Sequence, residues 1–159
     1  MKMNKKEDIF KITILVLCLD QLIKYYINKF MELNTSINII PNFFKLLYLR
    51  NSGAAFSILE DSTILLVIIS VVFLVVLDLY IKKENKFNKL SIISLGMIMG
   101  GIIGNLMDRI IYHSVIDYLS FTIFKYNFPV FNLADIGITV GVVLLIINEL
   151  IKIRKGNKE

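Results

Sequence analysis

Tryptophan is absent from the 159 residues, and cysteine and histidine occur once each, as Cys18 and His113. One cysteine excludes an internal disulfide, and one cysteine with one histidine is too few for a zinc or iron–sulfur centre, so no metal or other cofactor is expected. Cys18 has no histidine in its own span to activate it and is expected to be a small packing residue. Only two prolines interrupt a composition that is 56% hydrophobic with a mean hydropathy of +0.69, too apolar for an ordinary soluble domain. Charge is scarce too, at 19%. The net charge of +5 does not point to nucleic acid, because the basic residues sit in short clusters between apolar runs.

What is abundant is long apolar sequence. Four runs, about 9–27, 63–81, 90–111 and 131–151, each approach the roughly 20 helical residues needed to cross a bilayer. The first follows a basic start, as a secretory signal would, but Asp20 and Gln21 interrupt it and no small-x-small cleavage site follows, so it is expected to remain as a span. Twelve of the eighteen basic residues fall on one side of these runs: Lys2, Lys5, Lys6 and Lys11 at the start, Lys82, Lys83, Lys86 and Lys89 between the second and third, and Lys152, Arg154, Lys155 and Lys158 after the fourth. The positive-inside rule makes that side cytoplasmic and both termini internal. Segments of about 28–62 and 112–130 then face outward. In the first of these, β-branched and aromatic residues around Pro41 and an Asn-Ser-Gly turn signal predict strands. The fold expected is a single all-α membrane domain over 1–159, with four transmembrane helices and a small outward β-sheet resting on the membrane surface, its apolar face against lipid.

Charged side chains inside membrane helices cost about 2.5–3.5 kcal/mol each on insertion scales, so each needs a partner or a function. Asp20, Asp108, Asp117 and Asp135 come from distant segments yet reach a similar outer depth under this topology. Lys24 follows Asp20 at i, i+4 and can pair with it, and Asp108 can pair with Arg109 or a helix-end partner. Asn105 and Asn132 lie in the same layer. A proton- or ion-coupled carrier would set its carboxylates near the midplane and connect both faces, whereas the inner halves of these spans lack ionisable groups except at their ends. A non-enzymatic assembly subunit would leave Asp117 and Asp135 without a task. Gly96, Gly100, Gly101 and Gly104, with Gly137 and Gly141, are expected to allow close helix packing. Asp78 and Glu149, near cytoplasmic helix ends, and His113, interfacial and solvated, carry no expected role.

Five blocks in order, DQLIK (20–24), NSGAAFSIL (51–59), GGIIGNLMDR (100–109), VIDY (115–118) and FNLAD (131–135), resemble the prolipoprotein signal peptidases, or signal peptidase II. Ile23, where that family often carries Ser or Thr, is a small departure. The resemblance implies a metal-free aspartyl endopeptidase of the bacterial inner membrane that cuts diacylglyceryl-modified prolipoproteins before the lipidated cysteine, at the outer face. It implies Asp117 and Asp135 as the catalytic pair; the choice of Asp117 over Asp108 rests on the family. Asn51, Asn105, Arg109 and Asn132 match polar residues lining the pocket, and Asp20, with Lys24 and Asp108, supports the site. The expected partners are such prolipoproteins and membrane lipids, with the chain acting as a monomer.

The topology is open to cysteine labelling in a Cys18→Ser background. An impermeant thiol reagent applied to intact cells should label Lys45→Cys and Lys125→Cys and spare Lys86→Cys. Labelling of Lys86→Cys from outside would overturn the orientation.

Overall fold

The computed structural model describes residues 5–53, 62–84 and 87–156, with side chains as far as Arg154. Lys2, Lys86, Lys158 and the 54–59 part of the NSGAAFSIL block lie outside the described residues, as does the side chain of Lys155. Among the described residues four helices, α1 (Lys5–Phe30), α2 (Thr63–Lys83), α3 (Lys89–Tyr112) and α4 (Leu133–Gly156), accompany four strands, β1 (Ser36–Ile40), β2 (Phe44–Asn51), β3 (Val115–Ile123) and β4 (Tyr126–Asn127). The helices overrun most ends of the apolar runs that marked them, because polar residues continue the backbone ladder past the apolar stretch. α4 is the exception at its start. Phe131 bridges to Leu119 in β3, and helix geometry begins only at Leu133.

Among the described residues three helices, α2, α3 and 133–154 of α4, are long and apolar enough to cross a membrane. α1 has comparable length, at 26 residues, but carries Lys11, Asp20 and Lys24. The chain is thus mostly helical, with a small antiparallel sheet. α3 is the central helix, packing on α1, α2 and α4. It can do so because its glycines admit neighbouring backbone. A Cβ on Gly101 would collide with the carbonyl oxygen of Ala134, one on Gly100 would lie 2.8 Å from the carbonyl oxygen of Thr13, and one on Gly104 would lie 2.5 Å from Asp20 Oδ2. Gly141 on α4 returns the contact, with Ser94 O 2.9 Å from its notional Cβ. Little else is a core in the soluble sense. One cluster of Ile9, Ile81, Phe87, Ile92 and Leu95 closes one end of the bundle, and a second of Ile27, Tyr48, Ile116 and Tyr118 joins α1 to the sheet. The outer helix surfaces stay apolar and exposed, with Leu66 and Ile81 the buried residues of α2. Cys18 belongs to that outer surface rather than to helix packing, which corrects the expectation: it is exposed on α1 beside Leu19.

The sheet runs β1-β2-β3-β4, antiparallel throughout. Both of the segments expected to face outward supply strands: β1 and β2 come from the first, β3 and β4 from the second. The Pro41–Phe43 turn, with Asn42 at φ 60°, closes the first hairpin. The second turns on Phe124 and Lys125, both at positive φ. Between Leu46 and Leu49 the β2–β3 register shifts by a bulge, so that Leu49 stands opposite Asp117 and Asn51 opposite Val115. Bulges re-aim side chains. Here Tyr48 turns into the α1–sheet cluster while Asn51 reaches Asp117.

Overpacking of this kind costs about 1–3 kcal/mol. Gly101→Ala should therefore lower the thermal unfolding midpoint in detergent by several degrees, whereas Val143→Ala, on the exposed side of α4, should leave it within a degree or so. Equal midpoints for the two variants would show that α3 and α4 are not in the described contact.

Candidate active site

Asp20 and Lys24 share the inward face of α1 because they are one turn apart. Lys24 Nζ lies 2.8 Å from Asp20 Oδ2 and 3.0 Å from Asp108 Oδ2, and donates to Asn105 Oδ1 at 2.9 Å. Three acceptors saturate the three ammonium donors. The Lys24 side chain is 2% exposed and the two carboxylates less. Gln21 Nε2 lies within hydrogen-bond distance of Asp20 Oδ2 (3.2 Å), Asp108 Oδ1 (3.1 Å) and Gly104 O (3.2 Å). The remaining interactions reach backbone: Ala134 N–H donates to Asp20 Oδ1 at 2.9 Å, and Ile116 N–H to Asp108 Oδ2 at 3.1 Å. One buried cluster thus ties α1 and α3 to the first turn of α4 and the start of β3. The Asp20–Lys24 pair stands as expected. Asp108 pairs with Lys24 and not with Arg109, because Arg109 points to the other side, into a cavity.

Above this cluster lies a layer of amides. Asn132 caps α4: Asp135 N–H donates to Asn132 Oδ1 at 3.0 Å, and Asn132 N–H donates back to Asp135 Oδ2 at 3.1 Å. This is a reciprocal capping box with Asp in the third position, and it explains why α4 starts at Leu133. The other oxygen, Asp135 Oδ1, accepts from Asn105 Nδ2 at 2.7 Å. Asn132 Nδ2 reaches Asp117 Oδ1 at 2.7 Å and Asn105 Oδ1 at 3.2 Å. Asn51 Nδ2 donates to Asp117 Oδ2 at 2.9 Å, and its own oxygen accepts from Gly53 N–H at 3.0 Å. Asp117 and Asp135 are therefore held from both sides by amide donors, and Asn132 and Asn105 link them.

Both carboxylates border a cavity of about 880 Å³, together with Asn51, Asn105 and Arg109. Asp20, Lys24, Asp108 and Asn132 do not line it. Its remaining wall is largely apolar, with Leu49 and Val115 from the sheet, Phe128–Phe131 from the connection to α4, and Ile136, Ile138 and Val140 further along that helix. Arg109 is held lightly, donating at 3.4 Å to Asn105 O and at 3.4 Å to Gly53 O. Burial, then the neighbouring Asp135 charge, push the Asp117 carboxyl up to about 7. Burial likewise pushes the Tyr118 phenol above its usual range, and its oxygen accepts from Leu133 N–H at 3.2 Å.

The residues singled out in the sequence all lie in this assembly. Sequence reasoning missed the supporting roles of Gln21, whose place beside Asp20 was the available signal, and of Tyr118, which read as one aromatic among many. It also missed the brace in which Asn28 Oδ1 accepts from Tyr48 Oη (2.6 Å) and from Arg50 Nη2 (2.9 Å), with the Arg50 guanidinium 4.2 Å from the Tyr112 ring centroid. Away from the site, Asp78 pairs with Lys82 and Glu149 with Lys152, and His113 is the exposed, left-handed C-cap of α3.

Residues 12–151 match the family described as Signal peptidase (SPase) II. Among solved structures, one described as a bacterial membrane enzyme determined by the in meso method at 2.3 Å is 33% identical, with a TM-score of 0.86 over 95% of this chain and 91% of that one. A second, described in the same words at 1.9 Å, is 34% identical, with a TM-score of 0.80 over 89% and 92% of the two chains. The family match covers α2, α3, the sheet, all but the outermost turns of α1 and α4, and every residue of the polar layer described above, and the chain belongs to the signal peptidase II family.

Proposed function

We propose that this membrane protease of lipoprotein processing is an aspartyl endopeptidase in which Asp117 and Asp135 form the catalytic pair. The observation that carries the reading is the separation of roles among the aspartates: Asp117 and Asp135 face the cavity, while Asp20 and Asp108 are turned away and share Lys24 as their ion-pair partner. Two carboxylates so placed do not both ionise easily, and one retains a proton. Asp117, raised to about 7, is the proton holder, and Asp135 is the base. Asp135 takes a proton from a water whose oxygen attacks the scissile carbonyl carbon, while Asp117 gives its proton to the carbonyl oxygen. Collapse of the tetrahedral diol breaks the C–N bond as Asp135 passes its proton to the leaving nitrogen and Asp117 takes one back from a diol hydroxyl. Arg109 has N–H donors to spare for a substrate carbonyl.

The substrate is a diacylglyceryl-modified prolipoprotein cut before its lipidated cysteine. The apolar wall along Ile136, Ile138 and Val140 suits a lipidated chain, and the acyl groups hold the peptide at membrane depth, raising its local concentration. α1 supplies the fourth crossing. At about 1.5 Å per residue it is long enough, its charges Asp20 and Lys24 face inward, and Ile14, Leu15, Leu19 and Leu22 face out. The chain then acts as a single-domain monomer of the inner membrane, with both termini cytoplasmic, the site outside and the sheet against lipid.

Precursor cleavage by purified protein in detergent tests the class. Asp117→Asn and Asp135→Asn should each lower kcat by about 10²–10⁴-fold or more at normal membrane abundance, since an amide cannot exchange the proton. The double variant should be little worse than either single one. Substantial turnover by Asp117→Asn, with complete loss in Asp108→Asn, would move the role to Asp108.

The pH profile should carry the same signature. Above about 7 the Asp117 proton is lost and no acid remains, so kcat/KM should fall by about tenfold per unit at higher pH. A profile flat to about pH 9 would remove Asp117 as the acid.

A further inference from the structure

Asn105 stands between the buried ion cluster and the cavity, and an amide in that position has two possible orientations. One presents Nδ2 to Asp135, and the other presents Oδ1 to it, leaving two acceptors face to face. Asp135, as an acceptor, and Asn132, as a donor through Nδ2, favour the first, and Lys24 anchors it from the buried side. An ammonium only donates, so the Asn105 atom 2.9 Å from Lys24 Nζ has to be the oxygen, which also accepts from Asn132 Nδ2 at 3.2 Å. Nδ2 is then left to donate to Asp135 Oδ1 at 2.7 Å. Lys24 is itself immobile, because Asp20 and Asp108 take its other two donors.

We propose that Lys24 is a positioning residue for the reaction, anchoring the Asn105 amide by its oxygen and thereby holding the Nδ2 donor in place against Asp135. This rests on the aspartyl reading given above. Without that anchor Asn105 is held by Asn132 and Asp135 alone, and a shift of its amide carries the Asp135 carboxylate away from the place where it meets water. Lys24 also acts on Asp117 through its charge. The charged groups around Asp117 are Asp135 from α4, Arg109 from α3 and Lys24 from α1, and its direct donors are Asn51 and Asn132. Asp20 and Asp108 offset the Lys24 charge from α1 and α3. Lys24 favours the ionised form of Asp117, so its loss moves the Asp117 proton to higher pH.

Lys24→Met alone strands two buried carboxylates. The test is therefore Lys24→Met combined with Asp108→Asn, which removes one charge of each sign, compared with Asp108→Asn alone. Cleavage of a diacylglyceryl-modified precursor is followed against pH, with monodispersity and thermal midpoint measured for each protein. The expected result is a kcat lower by about 10²-fold than that of Asp108→Asn, the cost of a displaced reacting group. KM should change by less than about threefold, because Arg109, Asn51 and the apolar wall of the cavity keep their places. The basic limb should move to higher pH. A folded pair variant with the kcat and pH limb of Asp108→Asn overturns the proposal. If the pair variant does not fold, Lys24→Arg decides. Guanidinium also only donates, so a basic limb in its wild-type place, with about a tenth or more of kcat, supports the anchoring role, and no turnover by folded Lys24→Arg overturns it. Wild-type protein that leaves the precursor intact overturns the aspartyl reading and this inference with it, whereas an active wild type beside an unaltered pair variant overturns this inference alone.

Discussion

The ammonium of Lys24, closed between the carboxylates of Asp20 and Asp108, is the interaction on which the rest of the polar interior is built. A charge away from water is tolerated only when paired and fully hydrogen-bonded, and breaking such a pair by losing one partner costs about 3–5 kcal/mol. Lys24 meets both conditions, and every other group in the cluster is recruited to meeting them: Gln21 against both carboxylates, and the backbone N–H of Ala134 and Ile116 against their free valences. The penalty for a wrong arrangement is what gives the cluster its precision. Apolar helix faces tolerate sliding past one another in lipid, since little area is removed from water. A buried ion triad does not, and it locks the register of α1 against α3 and of both against the start of α4.

The glycines and the ion cluster depend on each other. Gly104 has to lack a side chain because Asp20 occupies the space a Cβ would take, and Gly101 because Ala134, whose amide holds Asp20, lies against it. Close approach is thus required where the polar groups meet, and the small residues are placed accordingly. At the other end of the same helix pair, Asn148 is buried between Ser91 and Asn88, accepting from Asn88 Nδ2 at 2.6 Å and donating to Ser91 Oγ at 3.0 Å. The α3–α4 contact is consequently pinned by polar groups near both ends, with glycine and apolar packing between.

The proposed reaction uses a helix start as part of its machinery. Asp135 is simultaneously a member of the α4 capping box and a wall of the cavity, so the geometry that begins the helix also aims the carboxylate. Asp117 gets its place from a strand, and the bulge in β2 brings Asn51 to it. A site drawn from two helices, two strands and a cap would be loose if each part were free. Here Asn105 and Asn132 bind the parts into one layer above the ion cluster.

Much of this was legible in the amino-acid sequence because the bilayer makes membrane sequences unusually explicit. Apolar length marks helices, basic clusters give an orientation, and an aspartate in an apolar run announces itself by its cost. The pairing of Asp20 with Lys24 follows from i, i+4 spacing alone. The second hairpin was not legible, since its turn residues Phe124 and Lys125 take positive φ without the glycine or asparagine that signals such a turn. Nor was the partner of Asp108, because Arg109 beside it was the obvious cation, and only the packing of α1 on α3 brings Lys24 nearer while Arg109 turns to the cavity. Local spacing determines which residues share a face of one helix. Which faces meet, and hence which aspartates share a cation and which border open space, depends on contacts between segments far apart in the chain, and those were decided by the tertiary structure.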